Sequence, residues 1–171
     1  MYRYNLSDGL APAEEPAEGT GGTVLLLTSE ELSRRMDQED RDHLVCHTPL
    51  ARDARICKAE VRRGYRNGTI VTPRQAKNGD PIAFGYLLSR DLVVLCDDSG
   101  TAHSMVQRLR KENPQKETSA NGFFCGFLAL LVEKDLRHLQ SLEDRLSQMV
   151  DEVSAGRLKN FNAGMMVLRK E

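Results

Sequence analysis

The sequence predicts an α/β (α+β) fold: a largely antiparallel sheet covered by helices, then a long C-terminal antiparallel helical hairpin. Three observations predict it. Residues 23–28 (TVLLLT) are a short, continuous apolar run, which suits a central strand covered on both faces. Residues 55–96 read as successive strands separated by turn signals. From Leu128 to Val153, apolar positions recur at alternating spacings of three and four, the period of a helix packed along its length on another helix.

In chain order, Tyr2, Tyr4 and Leu6 alternate with Arg3 and Asn5, a short strand with one buried face. Ser7 to Gly22 is rich in Gly, Ala, Pro and Glu and reads as an exposed loop. After the 23–28 strand, Ser29-Glu30-Glu31-Leu32 starts a helix, with Thr28 or Ser29 as cap and acids in the first turn. The charged stretch 36–47 continues helical in pieces until Pro49. Arg55 to Arg62 alternates Cys57, Ala59 and Val61 with Lys58, Glu60 and Arg62, and Asn67-Gly68 is a hairpin signal before the β-branched run 69–72. Residues 81–88 alternate, Ser89-Arg90-Asp91 turns the chain, and 92–96 (LVVLC) is a fully apolar strand, which completes an antiparallel meander. Asp97-Asp98-Ser99 caps a helix whose buried stripe is Ala102, Met105, Val106 and Leu109, and Pro114 stops it.

The last segment carries the strongest pattern. Its seam is Leu128, Val132, Asp135, Leu139, Leu142, Leu146, Met149 and Val153. Phe123, Phe124, Phe127, Leu128, Leu130 and Leu131 are apolar nearly all round, so this first part belongs to a core, and Asn121-Gly122 places the helix start at Phe123. A helix from 118 to 154 would span about 50 Å, longer than a small domain, and so is expected to protrude or meet an outside partner. Gly156 breaks the heptad, and the phase resets to Leu158, Phe161, Met165 and Leu168 with no stop signal before Glu171. The expected organisation is a sheet-and-helix body over 1–116 and a helical part over 117–171, packed on the same single domain, in a protein that continues past 171.

Composition narrows the function. Twenty-four bases against 25 acids give no argument for nucleic acid or an anionic membrane as partner. No run of eighteen apolar residues is present, and Met1-Tyr2-Arg3-Tyr4-Asn5 lacks the apolar core of a signal peptide. The four cysteines form no close pair. Cys57, Cys96 and Cys125 lie in apolar stretches, which reads as reduced, buried thiols in a cytoplasmic protein.

Candidate metal ligands are His43, His47, Asp97 and Asp98. Histidines four apart share one helix face, with Cys46, Asp40 and Asp42 nearby, and could take a borderline metal; a charged surface turn is the alternative. Asp97 and Asp98 follow an apolar strand, where carboxylates hold hard cations or cap a helix. There is no Gly-rich phosphate loop, no nucleophile motif and no His-Glu-x-x-His, so no enzyme is expected.

Three blocks carry a resemblance to the cytoplasmic domain of CorA-type divalent-cation transporters. Residues 55–61 (RICKAEV) occupy the place of the family's "arginine or proline, lysine, then a strand" segment. Residues 82–98 (IAFGYLLSRDLVVLCDD) are similar to its hairpin of two apolar strands, the second ending at an acid. Residues 123–153 resemble its leucine-rich helix, with Leu131-Val132-Glu133 and Leu142-Glu143-Asp144-Arg145-Leu146 falling where expected. The resemblance implies a mixed sheet, a homopentamer in the intact protein, sister subunits and a transmembrane segment of its own as partners, and a place at the cytoplasmic side of the cell membrane. It also implies a regulatory role in moving Mg²⁺ or another divalent cation. The family's Gly-Met-Asn triplet is absent; Gly164-Met165-Met166 is a near-match inside an amphipathic segment. Arg66-Asn67-Gly68 offers no carboxylate where some members place an acidic metal-binding loop. The alternative function is a soluble adaptor that grips a partner through its coiled-coil hairpin.

Overall fold

A computed structural model describes residues 1–13, 22–37, 44–75, 81–112, 119–156 and 166. The chain divides into two compact units, Met1–Leu130 and Leu131–Glu171.

The first unit is built on one sheet. Its strands are β1 (Tyr2–Asn5), β2 (Ala11–Pro12), β3 (Thr23–Leu27), β4 (Lys58–Arg62), β5 (Tyr65–Gln75), β6 (Pro81–Ser89) and β7 (Leu92–Asp97). They lie in the order β2-β1-β3-β7-β6-β5-β4. β4 to β7 are the expected meander, and every pairing is antiparallel except β3 with β7, in register from Thr23↔Leu92 to Leu27↔Cys96. The mixed, largely antiparallel sheet predicted from the sequence is therefore present.

Helices cover both faces. They are α1 (Ser29–Asp37), α2 (Thr101–Glu112) and α3 (Ala120–Ser154). On one face Leu25 and Leu27 of β3, Leu87 of β6, and Val94 and Cys96 of β7 pack with Leu32 of α1 and with Val45 and Ala51 of two short 3-10 turns. Side chains one residue away along a strand point to the other face. There Phe84 meets Phe127 of α3 edge to face at 5.5 Å, and Tyr86 lies 4.9 Å from Phe124. The Tyr4 hydroxyl is hydrogen-bonded to His103 Nδ1 of α2 at 2.9 Å and accepts a bond from Gln107 at 3.1 Å. Two-sided cover explains why β3 and β7 read as continuous apolar runs.

Three local expectations are corrected. The 4–5 hairpin turns at Arg63-Gly64, not at Asn67-Gly68: Arg62 pairs with Tyr65, and Gly64 takes φ +92°. Gly68 lies inside β5 for a different reason. A Cβ there would stand 1.9 Å from the Lys58 carbonyl oxygen and 2.9 Å from the Tyr86 hydroxyl. The 7–22 stretch is not wholly an exposed loop, because Leu10 is buried and β2 pairs with β1. Leu10 holds φ +62°, a backbone conformation rare for leucine, which its burial stabilises. Finally, α3 begins at Ala120 rather than Phe123, with Ser119 Oγ accepting the Gly122 amide at 3.1 Å. A serine cap outweighs the poor propensity of Asn121-Gly122.

The cysteines also differ from expectation. Cys96 is buried and Cys46 half-buried, but Cys57 and Cys125 are exposed. Cys57 precedes β4, an edge strand most of whose side chains are exposed. Burial pushes the Cys96 thiol above its ordinary value, partly offset by hydrogen bonds from Ser29 and Ala51. In the unfolded chain that thiol ionises first, so its contribution to stability is intact below the ordinary cysteine value and falls as pH rises past it. In native protein, iodoacetamide should modify Cys57 and Cys125 quickly and Cys96 only on unfolding, as read by mass spectrometry.

Candidate functional site

The parallel β3–β7 pair brings two strand ends and two helix starts together. β3 leads into α1 and β7 into α2. Asp97 Oδ1 accepts the Ser99 amide at 2.8 Å and its hydroxyl at 2.6 Å, and Oδ2 accepts the Ala102 amide at 2.7 Å. Asp98 reaches across to the other helix: Oδ1 accepts the Ser29 amide at 2.7 Å and Oδ2 the Ser29 hydroxyl at 2.6 Å. Each carboxylate thus meets donors that a helix start leaves unpaired. Thr28 and Glu31 add a reciprocal cap, the Thr28 hydroxyl accepting the Glu31 amide at 3.2 Å and the Glu31 carboxylate the Thr28 amide at 2.9 Å. Asp97→Ala should cost about 1–2 kcal/mol in urea denaturation, because it orphans the Ala102 amide at a buried helix start.

Of the other candidate ligands, His43 lies outside the described residues. His47 stacks on Tyr65 with centroids 5.1 Å apart, and its carbonyl accepts Asn67 Nδ2 at 2.7 Å. His47 and the two aspartates are not brought into one cluster. Among the described residues no group of three His, Cys, Asp or Glu side chains is placed to hold a metal.

The second unit offers a surface rather than a cluster. Its described part is mainly the C-terminal stretch of α3, a helix of 35 residues that ends at Ser154. Half of the predicted seam faces water: Val132 is 54%, Leu139 53%, Leu146 42% and Val153 42% exposed, while Leu128, Asp135, Leu142 and Met149 are half-buried. Leu136 and Val150, off the strict heptad, widen this stripe. Gly156 ends the helix at φ +67°, its amide bonded to the Val153 carbonyl at 2.9 Å. The second arm of the predicted hairpin, apart from a helical Met166, lies outside the described residues. Among those described, no helix is long and apolar enough to cross a membrane.

No protein-family model and no curated protein sequence matches the chain. Solved structures do. Over 99% of its length the chain superposes on the CorA magnesium transporter of Methanocaldococcus jannaschii, with a TM-score of 0.68 at 16% identity. It superposes equally fully on the ZntB cytoplasmic domain of Vibrio parahaemolyticus, with a TM-score of 0.64 at 12% identity. The chain has the fold of a CorA-like cytoplasmic domain. Full-length CmaX shares it over 92% of the chain, with a TM-score of 0.67 at 9% identity. The chain spans about half the length of CorA and CmaX, 56% and 52%, and 73% of the ZntB domain. The sequence blocks at 55–61, 82–98 and 123–153 fall on β4 with the residues just before it, on the β6–β7 hairpin and on α3.

Proposed function

We propose that this chain is the cytosolic regulatory domain of a CorA-like divalent-cation transporter, homopentameric when intact, with Mg²⁺ as its principal cation. The observation that carries the reading is the agreement of fold over nearly the whole chain with both CorA and the ZntB cytoplasmic domain, continuing into a 35-residue helix with an exposed apolar stripe. In this reading the helical part, 117–171, couples the body, 1–116, to a membrane segment. Carboxylates between subunits hold cations when these are abundant, and mutual repulsion loosens the assembly when they are scarce.

The test has two parts. The gene is read past residue 171, where two apolar stretches of about 20 residues each are expected. The whole protein is then expressed in cells lacking their own Mg²⁺ uptake, and growth at low Mg²⁺ and Co²⁺ accumulation are measured. Restored growth supports the reading; a reading frame without membrane segments favours the adaptor, whose partner would cover the apolar stripe of α3.

A further inference from the structure

Residues 52–66 carry six bases (Arg52, Arg55, Lys58, Arg62, Arg63, Arg66) against two acids (Asp53, Glu60), in a chain whose totals nearly balance. They lie on β4, in the segment before it, in the turn after it and at the start of β5. Among the described residues β4 has a neighbour on one side only, so alternate residues turn their amides and carbonyls outward, a template for another strand. Its side chains are open to solvent, Val61 being 78% exposed.

The two faces of β4 differ in chemistry. Lys58 and Glu60 border a cleft of about 400 Å³, lined also by Arg55 and Asn67. Ala59 and Cys57 border a second cleft of about 290 Å³, whose far wall is Tyr86, Phe124 and Leu128. Glu60 is already engaged by Lys58 and, at 2.6 Å, by Arg62, so the remaining surplus of charge is positive.

We propose that the outer edge of β4 accepts an extended segment of another protein, alternating acidic and apolar residues, as an eighth strand of the sheet. Backbone bonds to the open edge supply the attachment, the bases select acidic side chains on one face, and the apolar cleft receives the intervening ones on the other. A second copy of β4 suits this edge poorly: antiparallel pairing about Glu60 would set Glu60 against Glu60 and Lys58 against Arg62.

The proposal is tested with fluorescent synthetic peptides titrated into the full 171-residue chain and read by anisotropy. The probes are an alternating Glu-Val peptide, a Lys-Val peptide, and the Glu-Val peptide N-methylated at alternate backbone amides. The Glu-Val peptide should bind saturably, more weakly at high salt. The double variant Arg62→Glu, Arg63→Glu changes two exposed side chains, and circular dichroism checks that its fold is kept. It should weaken binding by about tenfold or more, and N-methylation should do the same. Absence of saturable binding, equal binding of the Lys-Val peptide, or binding that survives N-methylation overturns the proposal, the last because charge alone then accounts for it.

Discussion

Gly85→Ala is expected to lower stability by about 3–5 kcal/mol, among the largest effects a single methyl group can have. A Cβ at this position would lie 1.7 Å from the Pro49 carbonyl oxygen and 2.7 Å from the carbonyl carbon. Both are backbone atoms, so no side-chain rotation relieves the clash. Nor can either backbone retreat cheaply. β6 is paired on both sides, with β5 and with β7. The segment after Pro49 is held by the Ala51 amide on Cys96 Sγ, at 3.4 Å in the buried core. Urea denaturation followed by circular dichroism measures the loss. Gly126→Ala is the matched control: inside α3 its methyl would meet Leu109 at an ordinary 3.5 Å, and alanine's higher helix propensity should leave stability unchanged or raise it by up to about 1 kcal/mol. A Gly85→Ala protein as stable as the parent would show that residues 49–51 do not cross the sheet where described.

Phe127→Ala should cost a similar amount, about 3–5 kcal/mol, for the opposite reason: it empties space instead of overfilling it. Phe127 is fully buried, meets Phe84 edge to face, and stacks near Phe123 at 6.4 Å. It joins the first turns of α3 to the middle of the sheet, so its loss should lower the midpoints of helix and sheet unfolding together. Cys125→Ala, two residues away but exposed, should change stability by no more than about 0.5 kcal/mol. Equal effects at 125 and 127 would mean that this part of α3 has another face against the sheet.

Much of the fold could be read from periodicity, because two-sided cover leaves a plain trace. The apolar runs of β3 and β7, the meander, and the all-round apolar start of α3 are each plain in the sequence. What failed was local chemistry decided by neighbours distant in sequence. Asn67-Gly68 matches the commonest hairpin signal, yet its glycine serves the close approach of Lys58, while an unremarkable Arg63-Gly64 makes the turn. The exposure of Cys57 follows from the place of β4 at the sheet margin, which no window of sequence contains. At the candidate metal positions the end of an apolar strand was legible, and capping was one of two readings for Asp97. The grip of Asp98 on Ser29 was not, since it spans 69 residues and depends on β3 lying parallel to β7. The basic run at 52–66 is plain in the sequence, but only topology places it on an open edge.

The parallel seam also bears on how the chain reaches this state. β1 to β3 are sequence neighbours, and so are β4 to β7; each set is closed by short-range pairings. The two sets meet in one place, where residue 23 must find residue 92. Closing so long a loop has an entropic cost that precedes any gain from contact. Docking of the N-terminal strands onto a preformed meander is therefore the expected slow phase of refolding.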